Sequence, residues 1–268
     1  MNETLIRALS GAVYVLLLLS CILYSNITFY ILFGLFLALA VLEFCKLVRL
    51  NYVLPLIVAT ITYTIFYNSP FNPLYDGIIT LISILVAIQL AFFLFSKKDK
   101  VFKEYEKWFY IIGYIILPFT IMTKIPIGVD GYNPKILIGI FILIWTNDTF
   151  AYVVGKSIGK HKLFERISPK KTIEGFFGGL IFSVVGSILI ANFFIGTSNI
   201  GIWIGIAILV SIFATLGDLI QSKFKRLAGV KDSGKIMPGH GGILDRLDSI
   251  IYVAPFIFLF YQILNYVS

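Results

Sequence analysis

The sequence predicts an all-α, polytopic integral membrane protein with about nine transmembrane helices. Of its 268 residues, 59% are hydrophobic and only 13% are charged. A soluble domain usually has about a quarter charged residues and cannot bury so much apolar surface. The apolar residues form continuous runs, whereas a transmembrane β-barrel requires alternating apolar and polar residues. The whole chain, 1–268, is therefore predicted to form one integral membrane domain.

Nine apolar segments can be counted along the chain, and the short polar links between them leave no room for a soluble domain. About 20 apolar residues span the roughly 30 Å hydrocarbon core of a bilayer. The third segment is the least distinct of the nine. The predicted segments are 8–24, 27–42, 53–67, 77–95, 108–123, 136–154, 175–195, 201–220 and 249–266.

The net charge of +8 is concentrated on one predicted side of the membrane. If the N-terminus lies inside, all but Lys124 and Lys135 of the 22 Lys and Arg fall on that side. The positive-inside rule therefore predicts a cytoplasmic N-terminus and, after nine spans, a C-terminus on the far side. Attraction to anionic headgroups is a second explanation for part of this charge. The cations are not interleaved on a soluble platform, so we expect no nucleic acid as a partner.

The first polar stretch of interest, 145–175, combines an acid inside an apolar segment with a basic, glycine-spaced turn. A carboxylate such as Asp148 in the middle of a span costs about 2.5–3.5 kcal/mol on insertion scales, which favours a functional role. The alternative is a packing contact with a neighbouring hydroxyl or lysine. Lys170 and Lys171, which follow the turn, suit a phosphate ligand because they are point charges beside exposed backbone.

The second stretch, 216–249, places three carboxylates around a Gly-rich turn. Asp245 and Asp248 are three residues apart, so on a helix they share a face at about 5–6 Å. The chain has no CxxC pair and only two His, so hard oxygen ligands and Mg²⁺ are the natural combination. Asp218 supplies the third carboxylate from the preceding helix. The alternative is that Asp245 and Asp248 pair with Arg246 or a neighbouring lysine in a solvated loop.

At these residues the sequence resembles the phosphatidate cytidylyltransferases, also called CDP-diacylglycerol synthases. Their signature reads S-x-x-K-R, four residues, K-D, and then H-G-G-x-x-D-R-x-D. The stretch 145–175 also resembles the family, so the resemblance covers about the C-terminal half, 145–249. The signature positions are filled by Ser222, Lys225, Arg226, Lys231, Asp232, His240, Gly241, Gly242, Asp245, Arg246 and Asp248.

The resemblance implies transfer of CMP from CTP to phosphatidate, which gives CDP-diacylglycerol and pyrophosphate. It implies Mg²⁺ as the cofactor, with one or two metal ions, and a homodimer among membrane lipids. The expected location is the bacterial inner (plasma) membrane, with the active site facing the cytoplasm. Residues 136–268 would form the catalytic region, and the helices of 1–135 would serve as a scaffold for lipid contact and dimerisation.

The roles implied for single residues follow from two anionic substrates that repel each other, so that catalysis depends on positioning and charge neutralisation. Asp218, Asp245 and Asp248 would hold the metal, and Lys225 and Arg226 would complete the catalytic group. Glycine N–H groups would approach a phosphate, and His240 either donates to it or is a turn residue. The substrate-binding residues are expected to be Asp148, Lys170, Lys171, Ser222, Lys223, Lys231, Asp232, His240, Gly241, Gly242 and Arg246.

Three other functions compete with this interpretation. A CDP-alcohol phosphotransferase would carry a D-G-x-x-A-R…G…D…D pattern, which the sequence lacks. A cytidylyltransferase for a polyprenol or an archaeal lipid would use the same site with another lipid tail and stays open. A cation-coupled transporter would show several intramembrane charges and paired broken helices. Only Asp148 and Asp218 fall within predicted spans as candidates for such charges.

Overall fold

The computed structural model describes residues 3–96, 102–128 and 131–267, which form a helical bundle with two small hairpins. The helices are α1 (Glu3–Tyr24), α2 (Asn26–Val48), α3 (Val53–Asn68), α4 (Pro73–Phe95), α5 (Glu104–Tyr110), α6 (Leu117–Met122), α7 (Pro134–Ile158), α8 (Ile173–Leu189), α9 (Ile200–Leu227) and α10 (Leu244–Val267). The π-helical segment Ile111–Ile116 joins α5 to α6, and a second one, Ile190–Ile195, extends α8. The hairpins pair antiparallel strands, β1 (Ile127–Gly128) with β2 (Gly131–Tyr132) and β3 (Lys162–Phe164) with β4 (Ser168–Thr172).

Seven helices in the described parts of the chain are long and apolar enough to cross a membrane. They are α1, α2, α4, α7, α8 with its π-helical extension, α9 and α10. Helix α3 is apolar but has only 16 residues, and the helix over 104–122 consists of three shorter pieces. The prediction of an all-α polytopic membrane protein is confirmed. The number of nine spans and the sides of the two termini stay predictions.

Several helices continue beyond the apolar segments predicted for them. Helix α2 runs to Val48 rather than residue 42, α9 runs to Leu227 rather than residue 220, and α10 begins at Leu244 rather than residue 249. The helical hydrogen-bond ladder does not stop where side chains become polar, because Glu, Lys and Arg are good helix formers. The charged residues at these ends are therefore held on rigid helices.

The polar ends of several helices meet on one face of the molecule, the polar face. The start of α1 contacts the loop before α10 where the Ser10 hydroxyl donates to the Pro238 carbonyl, at 2.9 Å. The loop between β3 and β4 contacts the end of α4 where Arg166 donates to the Ser96 carbonyl, at 2.6 Å. These are ends that the charge pattern assigned to one side of the membrane. Which side this face occupies stays a prediction.

Small residues let α7, α8, α9 and α10 pack closely beneath the polar face. A Cβ atom on Gly179 of α8 would collide with α7, and a Cβ atom on Gly217 of α9 would collide with the Asp248 backbone in α10. Glycine at such contacts is typical of helix packing in membranes. This packing fixes the spacing of the helices that carry Asp148, Asp218 and Asp248.

The opposite face contains a buried ion pair. Lys124, which the charge pattern placed at the far-side end of a span, is only 5% exposed, and its ammonium lies 3.8 Å from the fully buried carboxylate of Asp76. The same ammonium donates to the Ser69 carbonyl at 2.9 Å. Lys124 therefore joins the end of α3 to the start of α4 and acts as a packing residue.

Candidate active site

A large cavity opens between α7, α8 and α9 at the polar face. Its volume is about 710 Å³, and Lys156, Lys162, Lys170 and Lys171 contribute to its wall. We name it the lysine cavity. Lys170 and Lys171 lie on one wall of this cavity, and their binding of an anionic ligand stays a prediction.

A smaller cavity, the arginine cavity, has a volume of about 290 Å³ and lies between α1, α7 and the start of α10. Arg246 and His240 supply polar groups to its wall, and Tyr14 supplies an aromatic ring. Asp148 lines both cavities. Its carboxylate thus faces space that water can fill rather than lipid, which removes much of the cost of an acid in this span.

Three carboxylates from different helices, Asp148, Asp218 and Asp248, form an acidic cluster between the two cavities. They are close enough for their charges to repel one another. The ammonium of Lys171 lies among them, 2.5 Å from Asp218. Burial lowers the pKa of Lys171, but the carboxylates of Asp218, Asp148 and Asp248 outweigh burial and hold that pKa above its ordinary value. A permanently charged lysine therefore neutralises part of the cluster.

Asp245 lines the arginine cavity together with Asp148 and Asp248, but its carboxylate is bound by donors of the protein. The expectation that Asp218, Asp245 and Asp248 hold one metal ion stays a prediction. Within the part of the chain that the structure describes, no three His, Cys, Asp or Glu side chains are placed to hold a metal on their own. The i, i+3 spacing of Asp245 and Asp248 is helical, as predicted. Sharing a helix face, however, does not make two carboxylates point to one spot.

The Asp245 carboxylate is occupied by groups of the protein. It accepts hydrogen bonds from the Lys225 ammonium at 2.7 Å and from the backbone N–H groups of Ser233 and Gly242 at 2.8 and 2.9 Å. An acid in the first helical turn commonly reaches back to an N–H group before the helix in this way. Asp245 and Lys225 therefore hold the loop between α9 and α10 against α9.

The glycines of the signature are also occupied by the protein. The Gly241 N–H donates to the Met237 carbonyl at 3.1 Å, and the Gly242 N–H donates to Asp245. Gly241 has a φ of +85°, which favours glycine, and a Cβ atom on Gly242 would collide with the carboxylate of Glu43. Both glycines thus permit close approach of protein carboxylates. The sequence predicts instead that their N–H groups bind a phosphate.

Lys223 lies in the wall of neither cavity, and its predicted contact with substrate stays a prediction. It is buried, and its ammonium donates to the carbonyls of Phe93 and, at 2.9 Å, Ser96. It also lies 3.9 Å from the centre of the Phe93 ring. A lysine at the carbonyl end of a helix is favourable because it complements the helix dipole. Lys223 therefore holds the end of α4 against α9.

The remaining charged residues of the signature lie in more open positions. Arg226, Lys231 and Asp232 are exposed at the end of α9 and in the loop that follows. The Ser222 hydroxyl lies 3.4 Å from the Asp218 carboxylate, as their spacing of one helical turn predicted. Contact of these four side chains with a substrate stays a prediction.

His240 is held in place by the start of α1. The Ser10 hydroxyl lies 2.8 Å from His240 Nδ1 and donates to the Pro238 carbonyl. The same hydroxyl also lies 3.1 Å from the Arg7 carbonyl, so Ser10 links His240 to the turn and to α1. Burial lowers the pKa of His240, and the charges of Arg246 and Arg7 lower it further. A neutral His240 donates from one ring nitrogen and accepts at the other, so both roles expected from the sequence, donor to phosphate and turn residue, stay predictions.

The glycine-spaced turn of the first stretch serves helix packing. Cβ atoms on Gly155, Gly159 or Gly175 would each crowd the Thr172 hydroxyl. That hydroxyl accepts from the Gly175 N–H at 3.1 Å and caps the start of α8. The glycines therefore bring α7 and α8 together, and the lysines around them line the cavity.

Sequence reasoning missed two residues of the N-terminal half. Glu43, just after the predicted end of the second apolar segment, is buried against the loop before α10. Its position between apolar residues was the available signal. Tyr114, in the π-helical segment, has a buried hydroxyl with no hydrogen-bond partner in the described residues, and it lies near enough to Asp248 and Asp218 to sense their charges. A tyrosine in an apolar run gives no such signal.

Comparison with known proteins agrees with the resemblance found in the sequence. Residues 5–264 match the cytidylyltransferase family. Over 115 residues, the chain is 52% identical to a phosphatidate cytidylyltransferase of Staphylococcus aureus strain COL and 54% identical to one of Staphylococcus haemolyticus. Each match covers 43% of this chain and 44% of the relative, so it spans less than half the length of either protein. Because the family match covers nearly the whole chain, the protein belongs to the cytidylyltransferase family.

Proposed function

We propose that the protein is a phosphatidate cytidylyltransferase. An oxygen of the phosphatidate phosphate would attack the α-phosphorus of CTP. The bond from that phosphorus to the oxygen of the β-phosphate would break, and pyrophosphate would leave. The observation that carries the proposal is the acidic cluster with Lys171, which stands between a lysine-lined cavity and an arginine-lined cavity in a member of this family.

The two cavities suit two anionic substrates. The lysine cavity, at about 710 Å³, lies within the roughly 300–1,000 Å³ typical of ligand sites and offers four ammonium groups to a triphosphate. The arginine cavity combines Arg246 with apolar side chains beside α1, which suits a lipid phosphate. Both would bring their phosphates to Asp148, which lines both walls. We therefore assign CTP to the lysine cavity and phosphatidate to the arginine cavity.

The residues of the acidic cluster fit a divalent cation. Mg²⁺ takes one or two carboxylates together with waters and substrate phosphates. Asp218 and Asp248 repel each other. The cations that act on the cluster are Lys171, Arg246 and Lys225, and Lys225 is also bonded to Asp245, so these three cations face four carboxylates. Asp218 and Asp248 would hold Mg²⁺, with Asp148 available to a second cation. When bound, Mg²⁺ would neutralise charge on the reacting phosphates.

The chain's own residues would supply the remaining charge compensation. Lys171 and its neighbours in the lysine cavity would bind the triphosphate oxygens, and Arg246 would orient the attacking phosphate. That phosphate is already ionised, so the reaction needs no strong general base. This agrees with the neutral, hydrogen-bonded His240. The protein would act mainly by positioning and electrostatic stabilisation.

We also propose the orientation, the membrane location and the oligomeric state of the protein. The concentration of Lys and Arg on one predicted side supports an active site that faces the cytoplasm. The bacterial relatives support a plasma-membrane location. A homodimer is proposed from the family resemblance. A reporter fused to Ser268 should be active on the far side of the membrane, and a cytoplasmic signal would contradict the topology.

The proposed function is tested with the purified protein, Mg²⁺, labelled CTP and vesicles that contain phosphatidate. We expect label from the CMP part of CTP to appear in the lipid, and pyrophosphate to form in equal amount. A polyprenyl phosphate and an archaeal-type ether phosphatidate serve as competing acceptors. Preference for either of these, or ion flux without transfer to lipid, would contradict the proposal.

A further inference from the structure

We infer that Glu43, on α2 in the N-terminal half, is a positioning residue that sets the start of α10 and hence the place of Asp248. The inference rests on the proposed function of the acidic cluster. Glu43 lies outside the two motif stretches, 145–175 and 216–249. It is 6% exposed, and its partners come from the loop before α10 and from the start of α10 itself.

The Glu43 carboxylate accepts three hydrogen bonds. The N–H groups of Ile243 and Leu244 donate to it at 3.0 and 2.9 Å, and the Ser233 hydroxyl donates to it at 2.8 Å. The N–H groups at a helix start have no partner within the helix, and they favour a negative charge. Glu43 therefore supplies to α10, from another helix, the cap that its own sequence does not provide.

Two glycines leave room for this carboxylate. Cβ atoms on Gly234 or Gly242 would each collide with its oxygens. Gly242 belongs to the signature, and its neighbour Ile243 is one of the donors to Glu43. The loop is therefore shaped around the Glu43 side chain, and the absence of a side chain at Gly242 is explained by a protein carboxylate.

Glu43 is connected to Asp245 in the first turn of α10 by a short chain of contacts. The Ser233 hydroxyl lies 2.8 Å from Glu43 and 3.0 Å from Asp245, and Asp245 binds Lys225 at 2.7 Å. Asp248 follows Asp245 by three residues on α10, so a rotation or shift of the helix start displaces both. Asp248 would then lose its alignment with Asp218, which is fixed on α9. Glu43 acts through α10 and does not need to touch substrate.

The experiment compares Glu43→Gln, Ser233→Ala and Asp76→Asn with the unaltered protein. The Gln variant keeps the size of Glu43 but loses its charge and one acceptor oxygen. Asp76→Asn is the matched control, because Asp76 is also a buried carboxylate of the N-terminal half but lies at the opposite face. For each protein we would measure Mg²⁺-dependent thermal stabilisation without substrates, and the Mg²⁺ dependence of CMP transfer to lipid.

We expect Glu43→Gln to raise the Mg²⁺ concentration for half-maximal stabilisation, and for half-maximal transfer, by about tenfold, as for other partners that orient metal ligands. Ser233→Ala should raise both Mg²⁺ midpoints by a smaller factor. This variant replaces Glu43→Gln in the test if Glu43→Gln does not fold. Asp76→Asn should lower the melting temperature and leave both midpoints unchanged.

Unchanged Mg²⁺ midpoints in a folded Glu43→Gln protein, whatever its melting temperature, would overturn the inference. If that variant does not fold, unchanged midpoints in Ser233→Ala would do so. Failure of the proposed function has a different result, because the unaltered protein would then transfer no CMP. If no CMP is transferred, the variants are still compared by their Mg²⁺-dependent thermal stabilisation. Equal Mg²⁺ midpoints for the unaltered protein and Glu43→Gln would then also contradict the positioning role of Glu43.

Discussion

The two faces of the bundle both bury carboxylates, but they compensate them differently. At the far face, fully buried Asp76 meets one lysine, Lys124, which is itself only 5% exposed, so charge is balanced in a closed space. At the polar face, Lys171 stands among three carboxylates beside two open cavities. A balanced, closed pair is explained by packing alone. The cluster at the polar face opens to two cavities, and this difference supports the proposal that ligands complete its charge balance.

The largest expected effect is on catalysis at the acidic cluster. Asp248→Asn should lower CMP transfer by more than about 100-fold, since even groups that only orient metal ligands cost about 10–100-fold. Asp245→Asn should instead lower the melting temperature, because it leaves Lys225 without its partner. Turnover at saturating Mg²⁺ and thermal unfolding distinguish the two. Equal loss of turnover, with unchanged stability in both variants, would return Asp245 to the metal site.

The next effect concerns the far face. Lys124→Ala leaves the Asp76 carboxylate buried without its cation, which should lower the free energy of unfolding by about 3–5 kcal/mol. The KM for CTP should not change. Thermal or denaturant unfolding measures the loss, and Lys135→Ala, an exposed lysine near the same face, is the control. Near-normal stability of Lys124→Ala would show that the pair is not required for packing.

A smaller effect is expected from the cation of the acidic cluster. Lys171→Ala should raise the KM for CTP about tenfold or more, because a hydrogen bond to a charged group contributes about 1.5–3 kcal/mol. The raised pKa of Lys171 keeps its side chain protonated at neutral pH. The contribution of Lys171 to CTP binding should therefore not vary between about pH 6 and about pH 9, where lysines keep their charge. Steady-state kinetics across pH tests both points. An unchanged KM would separate Lys171 from the triphosphate.

The smallest effect concerns pH and stability at His240. Its pKa is lowered in the folded protein, chiefly by burial, so the unfolded chain binds the proton more readily. The stability from the neutral form is complete above the unfolded pKa of about 6.5 and is lost as pH falls below it. The melting temperature should therefore fall less between pH 7 and about pH 5.5 in His240→Gln than in the unaltered protein. Equal falls would remove His240 from this linkage.

The sequence was sufficient for the fold class and for the stretches that form the site. Continuous apolar runs predicted the helices, and the i, i+4 spacing placed Ser222 beside Asp218, as observed. The predicted segments ended before the ends of α2 and α9 and began after the start of α10. Polar residues that form helices well continue a helix past its apolar run. The sequence did not separate Asp245 from Asp248, since a shared helix face does not reveal which donors each carboxylate meets.

The features of the site that the sequence did not predict depend on contacts between residues far apart in the chain. Glu43 and Ile243 are 200 residues apart, so no local pattern could pair them. Lys223 belongs to a basic stretch that suits phosphate, but its place on α9 turns it toward the carbonyl end of α4. Residues of one sequence motif are therefore divided between binding a ligand and holding the loop that presents it, and only packing decides which.

We propose that Asp218 and Asp248, and not Asp245, hold the Mg²⁺ ion. Crystals soaked with Mn²⁺, whose anomalous scattering marks its position, test this claim most directly. We expect an anomalous peak between the carboxylates of Asp218 and Asp248, with the Lys225–Asp245 bond intact. A peak bound by Asp245 after that bond opens, or no peak at the acidic cluster at saturating Mn²⁺ and CTP, would contradict it.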